Sequence, residues 1–140
     1  MKSETSKLKV FVYGTLKPGG VNYDRYCRGL VESQTPAYIR GILYDLPVGY
    51  PAAIEASDRI RGVLLTFKDP NALNNLDVLE DYQPQREDRL NLYYRRMVNV
   101  YSLDNVLLGE AWVYFMTPEK VRELGGILLD SGWWETALKD

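Results

Sequence analysis

The β-forming segments of this chain come in an order that a repeating parallel βα unit cannot use. Three come first: Lys7–Tyr13, "YIRGILYDLP" (Tyr38–Pro47) and "RIRGVLLTF" (Arg59–Phe67), all rich in β-branched and aromatic residues. The Gly/Pro stretch "VGYPAAI" reads as the loop between the second and third. One strong helix start follows, with Asp69 able to cap, Pro70 at the first helical position and a periodic segment to about Tyr82. "YYRRMVNVYS" (Tyr93–Ser102) and "VLLGEAWVYFM" (Val106–Met116) then flank a Leu-Asp-Asn turn and predict a hairpin. Other helices are short: Asn22 to about Leu30, one opening at Thr117-Pro118-Glu119, and a C-terminal "SGWWETAL" segment packing on the rest. Strands, a helix, more strands and a short helix predict an α+β fold with a curved, mostly antiparallel sheet or barrel.

The chain has 140 residues, enough for one domain with its own core. Residues 1–7 read as a flexible polar lead-in and 8–140 as a single domain. Net charge is −2 with acids and bases interspersed, so no nucleic-acid footprint and no membrane partner are expected. The polar N-terminus has no apolar run fit for a signal peptide or a span, and Cys27 is the lone cysteine. A cytoplasmic protein is the expectation. There is no histidine, which excludes Ser-His and Cys-His nucleophilic machinery and the usual His/Cys zinc site. Acid–base chemistry near neutral pH then falls to a carboxylate, tyrosine, lysine or Cys27, and no metal or cofactor is expected.

Two stretches carry candidate chemistry. In "VYGTLKPGG", Gly14 and Gly19 have the spacing of a phosphate loop, but Gly20-Val21 stands where Lys-Ser/Thr is required. What remains is a strand end whose amides from Gly14 to Lys17 either cradle an anion or form a plain turn. In "DPNALNNLDVLEDY", a helical wheel with Leu73 at zero puts Glu80 at about 340°, inside the stripe of Leu76, Leu79 and Ala72. Asp77 and Asp81 fall outside it, at about 40° and 80°. A carboxylate on an apolar face is driven towards its neutral form, which suits a general acid or base. Against this stands the ordinary solvated helix glutamate. Alternation sends Tyr93 and Arg95 to one face of their strand, able to meet a carboxylate ligand or Glu80, or to serve as a solvated cross-strand pair. Tyr50 at the tip of "GYP" and Tyr114 in "AWVYF" are open to packing and pocket roles alike. Cys27 reads as a small buried hydrophobe, and Trp133-Trp134 as packing anchors or an exposed interface pair.

Taken in order, "VYGTL", "GYPA", "LDVLEDY", "YYRRMVNV" and "AWVYF" resemble the γ-glutamylcyclotransferase-like family over about residues 8 to 116. That family includes γ-glutamylcyclotransferase, γ-glutamylamine cyclotransferase and the plant avirulence-induced-gene-like proteins. The resemblance implies a small mixed β-barrel flanked by a few short helices. It implies intramolecular attack of a substrate α-amine on a γ-glutamyl carbonyl, giving 5-oxoproline and a released amine or amino acid. On this template Glu80 is the catalytic glutamate, and Tyr13, Gly14, Thr15 and Leu16 line the cavity. Tyr93 and Arg95 match the Tyr-x-Arg that follows, and Tyr50 and Tyr114 complete the expected substrate-binding set. No metal, nucleotide or histidine is required. The implied partner is a small γ-glutamyl molecule, and the chain a monomer or weak homodimer.

Two departures stand out. Many relatives have glycine after the glutamate, where this chain has Asp81, a second carboxylate placed to raise the Glu80 pKa or to face solvent. The segment from Asp81 to Leu92 is long and is expected to form a lid or a pocket wall. Two further functions stand beside the enzyme: a non-catalytic small-ligand module using the same cavity, and an interaction protein docking through Trp133-Trp134.

Overall fold

The computed structural model of the chain describes residues 7–135. Its elements are β1 (Leu8–Val12), α1 (Tyr23–Tyr26), β2 (Val31–Asp45), β3 (Pro51–Phe67), α2 (Ala72–Leu79), β4 (Tyr94–Ser102), β5 (Leu107–Phe115), α3 (Pro118–Glu123) and β6 (Ile127–Leu128). The strands run β3-β1-β5-β4-β2, and β2 pairs back onto β3, closing a five-stranded barrel with β6 added beside β2. The β1–β5 pair is parallel and the other pairs are antiparallel, so the barrel is mixed. Among the described residues no helix is long and apolar enough to cross a membrane.

Alternation along the strands gives the barrel two apolar faces. One cluster, with Phe11, Ile39, Ile60, Val113 and Phe115, fills the interior. The other, with Val10, Val12, Leu65 and Tyr114, lies on the opposite face and buries Ala72 and Leu76 of α2. The stripe read from the sequence is thus the face by which α2 docks.

Several boundaries differ from expectation. β2 begins at Val31, seven residues early, because the β2–β3 ladder runs from Val31↔Phe67 to Asp45↔Pro51. The loop between them ends at Tyr50: Pro51 opens β3 as its first residue, where a missing N–H does not interrupt a ladder. The helix at Asn22 is one turn, Tyr23–Tyr26. Asp69 forms a local turn instead of the helix cap, its Oδ1 accepting from the Asn71 amide at 2.9 Å. α2 ends at Leu79 instead of Tyr82, because Asp81 turns into the left-handed region with φ of 55°. Asp81 therefore stands at a position that suits glycine. Ser131 to Trp134 is not helical, and the rest of "ETAL" beyond Glu135 lies outside the described residues.

Gly62 sets the closest approach in the barrel. A Cβ there would lie 2.2 Å from the Val12 carbonyl oxygen and 2.7 Å from the Phe11 ring. Gly62→Ala should therefore lower stability by about 1–3 kcal/mol, the usual cost of overpacking. Urea unfolding checks this, and an unchanged midpoint would contradict it.

Candidate active site

The strand ends at Val12 because Gly14 and its neighbours fold into a turn. Lys17 donates its amide to the Gly14 carbonyl at 3.0 Å, and the Asn22 amide returns to the Thr15 carbonyl at 2.9 Å. The Asn22 side chain donates to Thr15 Oγ1 at 2.8 Å, so a residue expected to cap a helix braces this loop instead. Gly14 is pressed against Pro51, where a Cβ would lie 2.7 Å from Cγ. Among the described residues the amides of Thr15 and Leu16 have no backbone acceptor.

Beside this loop a cavity of about 280 Å³ opens. Tyr13, Gly14, Thr15, Leu16, Tyr50, Tyr93, Tyr114 and Glu80 all line it, and none of the lining side chains is Lys or Arg. Sequence reasoning missed Val21, Asn22 and Leu92, which also line it.

Glu80 closes α2, its amide donating to the Leu76 carbonyl at 2.9 Å. Its own carbonyl accepts from the Tyr93 amide at 3.3 Å, which ties the helix end to the start of β4. The side chain keeps partial access to the cavity, but the protein around it removes most of its hydration. That desolvation, with the negative charge of Asp77 second, pushes the Glu80 pKa from an ordinary 4.5 up to about 8. Asp81 has no part in this. Its carboxylate and carbonyl both accept from Arg86, at 3.2 and 2.8 Å.

Three tyrosines stiffen the walls. Tyr13 Oη donates to the Tyr114 carbonyl at 2.6 Å and accepts from the Ala53 amide at 3.3 Å. Tyr93 Oη donates to the Pro51 carbonyl at 2.6 Å. Tyr114 Oη donates to Asp77 Oδ1 at 2.6 Å. Burial raises all three pKa values first of all, so these phenols stay neutral.

Arg95 departs from its expected place. It does not line the cavity. Its guanidinium grips Asp77 through Nε and Nη2, at 2.8 and 3.1 Å. It also lies 4.9 Å from the Tyr82 ring and 4.4 Å from the Trp112 ring. Arg95 and Tyr114 are ladder partners, so β4 and β5 present one donor each to the same carboxylate. Asp77 sits three residues before Glu80, and the wheel had placed it off the apolar stripe. The available signal was the i, i+3 spacing to Glu80 opposite a hairpin carrying Arg and Tyr.

The long segment after Asp81 is not a lid. Of residues 81–92 only Leu92 lines the cavity. Asn91, buried, accepts from the Gln83 amide at 2.9 Å, and Asp88 accepts from Arg96 at 2.7 Å, so the segment lies pinned against its own ends and β4. Burial pushes the Cys27 thiol up to about 12, which suits a packing role.

The family model described as "Gamma-glutamyl cyclotransferase, AIG2-like" matches residues 10–136. The chain belongs to this family. A relative named "Putative gamma-glutamylcyclotransferase BH1612", from Halalkalibacterium halodurans, is 35% identical over 99 residues, covering 69% of this chain and 80% of that protein. An AIG2-like protein of Mus musculus has the same fold, with a TM-score of 0.68 at 20% identity, covering 92% of this chain and 88% of that one. YkqA of Bacillus subtilis matches at a TM-score of 0.62 and 23% identity over 91% of this chain, which spans 39% of YkqA's length.

The burial of Glu80 has a signature in stability. Between pH 4.5 and 8 the folded chain holds a proton on Glu80 that the unfolded chain has released, so Glu80 makes stability fall as pH rises through this window. Glu80→Gln, neutral at every pH, should gain stability relative to wild type as pH rises from 4.5 to 8.5. Thermal melts of both proteins across this range check it, and parallel curves would contradict it.

Proposed function

We propose that the protein is a γ-glutamyl cyclotransferase that uses Glu80 as general base and then general acid. The observation that carries this is the position of Glu80, a carboxyl desolvated by the protein around it that lines a small cavity together with Thr15 and Leu16, whose amides have no backbone acceptor among the described residues. The substrate α-amine arrives as an ammonium, and a carboxyl whose pKa is raised to about 8 takes its proton at lower cost than an ordinary glutamate would. The freed amine attacks the γ-carbonyl carbon, the ring C–N bond forms, and the carbonyl oxygen becomes an oxyanion. We assign the Thr15 and Leu16 amides to that oxygen, a role worth about 3 kcal/mol per donor. The intermediate then expels the γ-amide nitrogen, which takes the proton from Glu80, and the carboxylate so freed removes the second proton of the ring nitrogen to leave the neutral lactam. Ring closure within one molecule supplies the proximity that a bimolecular reaction lacks. Tyr13, Tyr50, Tyr93 and Tyr114 shape the pocket, and Arg95 acts from outside it by holding Asp77.

The lining also bears on substrate choice. With no Lys or Arg there, the glutamyl α-carboxylate must rest on amides and hydroxyls, and a second carboxylate on the leaving group would find no cation. The side chains of Val21, Leu79 and Leu92 are apolar, and Val21 is 69% exposed. A γ-glutamyl derivative of an uncharged or apolar amine fits this surface better than a γ-glutamyl amino acid.

Purified protein given γ-glutamyl amines, γ-glutamyl amino acids and glutathione should release 5-oxoproline, fastest from the amines, as read by mass spectrometry. Glu80→Gln should lose at least about 10²-fold. Turnover unchanged in Glu80→Gln would sink the mechanism, and ligand binding without product would favour the non-catalytic module. A productive encounter needs one proton shared between Glu80 and the substrate amine. kcat/KM should therefore rise with pH through about 8 as Glu80 ionises and fall at higher pH as the ammonium deprotonates. Asp77→Asn removes the nearby negative charge and leaves Arg95 without its partner, and both changes lower the Glu80 pKa. The acid limb should then move to lower pH, a shift that a purely structural role for Asp77 would not give.

A further inference from the structure

On the outer face of the β2–β3 ladder, Tyr38 stands opposite Arg61 and Arg40 opposite Arg59. Ile39 and Ile60, between them, are fully buried in the barrel, so these four residues share the outward face. Like charges directly opposite each other across an antiparallel pair are destabilising. Among the described residues no carboxylate comes within 4.0 Å of Arg40, Arg59 or Arg61; on the Trp133 side the Glu135 carboxylate accepts from the indole Nε1 at 3.1 Å. Arg28, Arg86, Arg89, Arg95 and Arg96 all have an acidic partner. Asp58 and Asp104, near in sequence, make no ion pair with the three. In a chain of net charge −2 this is a concentrated positive patch that whole-chain charge conceals.

The patch has shape as well as charge. A groove of about 410 Å³ is lined by Tyr38, Arg59, Arg61, Leu103 and Ser131. Its arginines are held in place. Arg59 lies 4.3 Å from the Tyr38 ring, and its Nη2 donates to Asn105 Oδ1 at 3.0 Å. Arg61 lies 5.1 Å from the Trp133 ring, whose centroid is 3.4 Å from Lys17 Nζ. The segment that carries Ser131 is fixed on β3: the Arg61 amide donates to the Gly132 carbonyl at 2.8 Å. Gly132, at φ of 68°, packs so closely that a Cβ would lie 2.3 Å from the Arg59 carbonyl oxygen. Each guanidinium thus lies against an aromatic ring, and guanidinium N–H groups are donors suited to a tetrahedral oxyanion.

We propose that this groove is a second ligand site, separate from the Glu80 cavity, for a phosphoryl oxyanion of charge −2 or more on a small molecule. Recognition is of the anion. The Trp133 ring already packs with Lys17 and Arg61, and the Tyr38 ring with Arg59 and with Tyr101 at 5.3 Å, so both rings are engaged before any base arrives.

The test is calorimetric titration and thermal melting with phosphate, pyrophosphate and adenosine diphosphate at constant ionic strength, on wild type and on Arg59→Gln/Arg61→Gln. At ten times Kd, pyrophosphate should raise the melting temperature by on the order of 5 °C. The double variant should bind at least about tenfold more weakly while melting cooperatively on its own. Similar affinity for pyrophosphate and adenosine diphosphate supports anion recognition by either source. No saturable binding of any probe, or equal binding by the variant, would overturn the proposal. So would binding confined to single-stranded DNA with a steep salt dependence.

Discussion

The allocation of one arginine decides the character of the site. Arg95 lies outside the cavity that Glu80 lines. It is given to Asp77, in two hydrogen bonds at 2.8 and 3.1 Å, with Tyr114 adding a third at 2.6 Å. The Asp77 side chain, 14% exposed, is thus held by three hydrogen bonds. Glu80 is left with no cation, in a cavity whose lining contains none, and beside a fixed negative charge. Had the guanidinium faced Glu80, its pKa would have moved the other way and the carboxyl would be a poor base near neutral pH.

The barrel supplies what this arrangement needs. The β4–β5 hairpin brings Arg95 and Tyr114 side by side, and the exposed-looking face of α2 meets them. The Tyr13–Gly20 loop is braced by Asn22 and packed on Pro51. On its far side Lys17, 3% exposed, donates to the Trp134 carbonyl, and Trp134 Nε1 donates to Asp45 at 2.9 Å. The tryptophan pair therefore ties the first loop of the chain to its last described segment. This use is closer to a packing anchor than to a free interface, although the Trp133 ring also packs against Arg61 of the basic groove. The same tie links the two sites, since Lys17 follows Thr15 and Leu16 and touches the ring that packs on Arg61.

The strands, the hairpin and the face of α2 were legible in the sequence because each rests on a local period. The apolar stripe that contained Glu80 is the face that docks, so the candidate glutamate followed from the wheel. Non-local pairings were not legible. The start of β2 at Val31 depends on its ladder to Phe67, far along the chain. Arg95 was misplaced because alternation fixes a face and not a partner: Tyr93 and Arg95 share a side, but only Tyr93 reaches the cavity. Asp77 was passed over because the wheel ranks residues by the stripe, whereas its role comes from two strands that arrive later. Asp81 drew notice for its charge, and its backbone at φ of 55° is what matters. The arginine ladder was invisible to a whole-chain charge of −2.

Everything proposed for the reaction turns on the proton of Glu80. The most direct measurement is its titration, followed by the carboxyl carbon-13 shift in the folded protein, with Glu80→Gln giving the assignment. A midpoint near 8 is the predicted result. A midpoint near the ordinary glutamate value of 4.5 would mean that the carboxyl is solvated or paired, and would contradict the account.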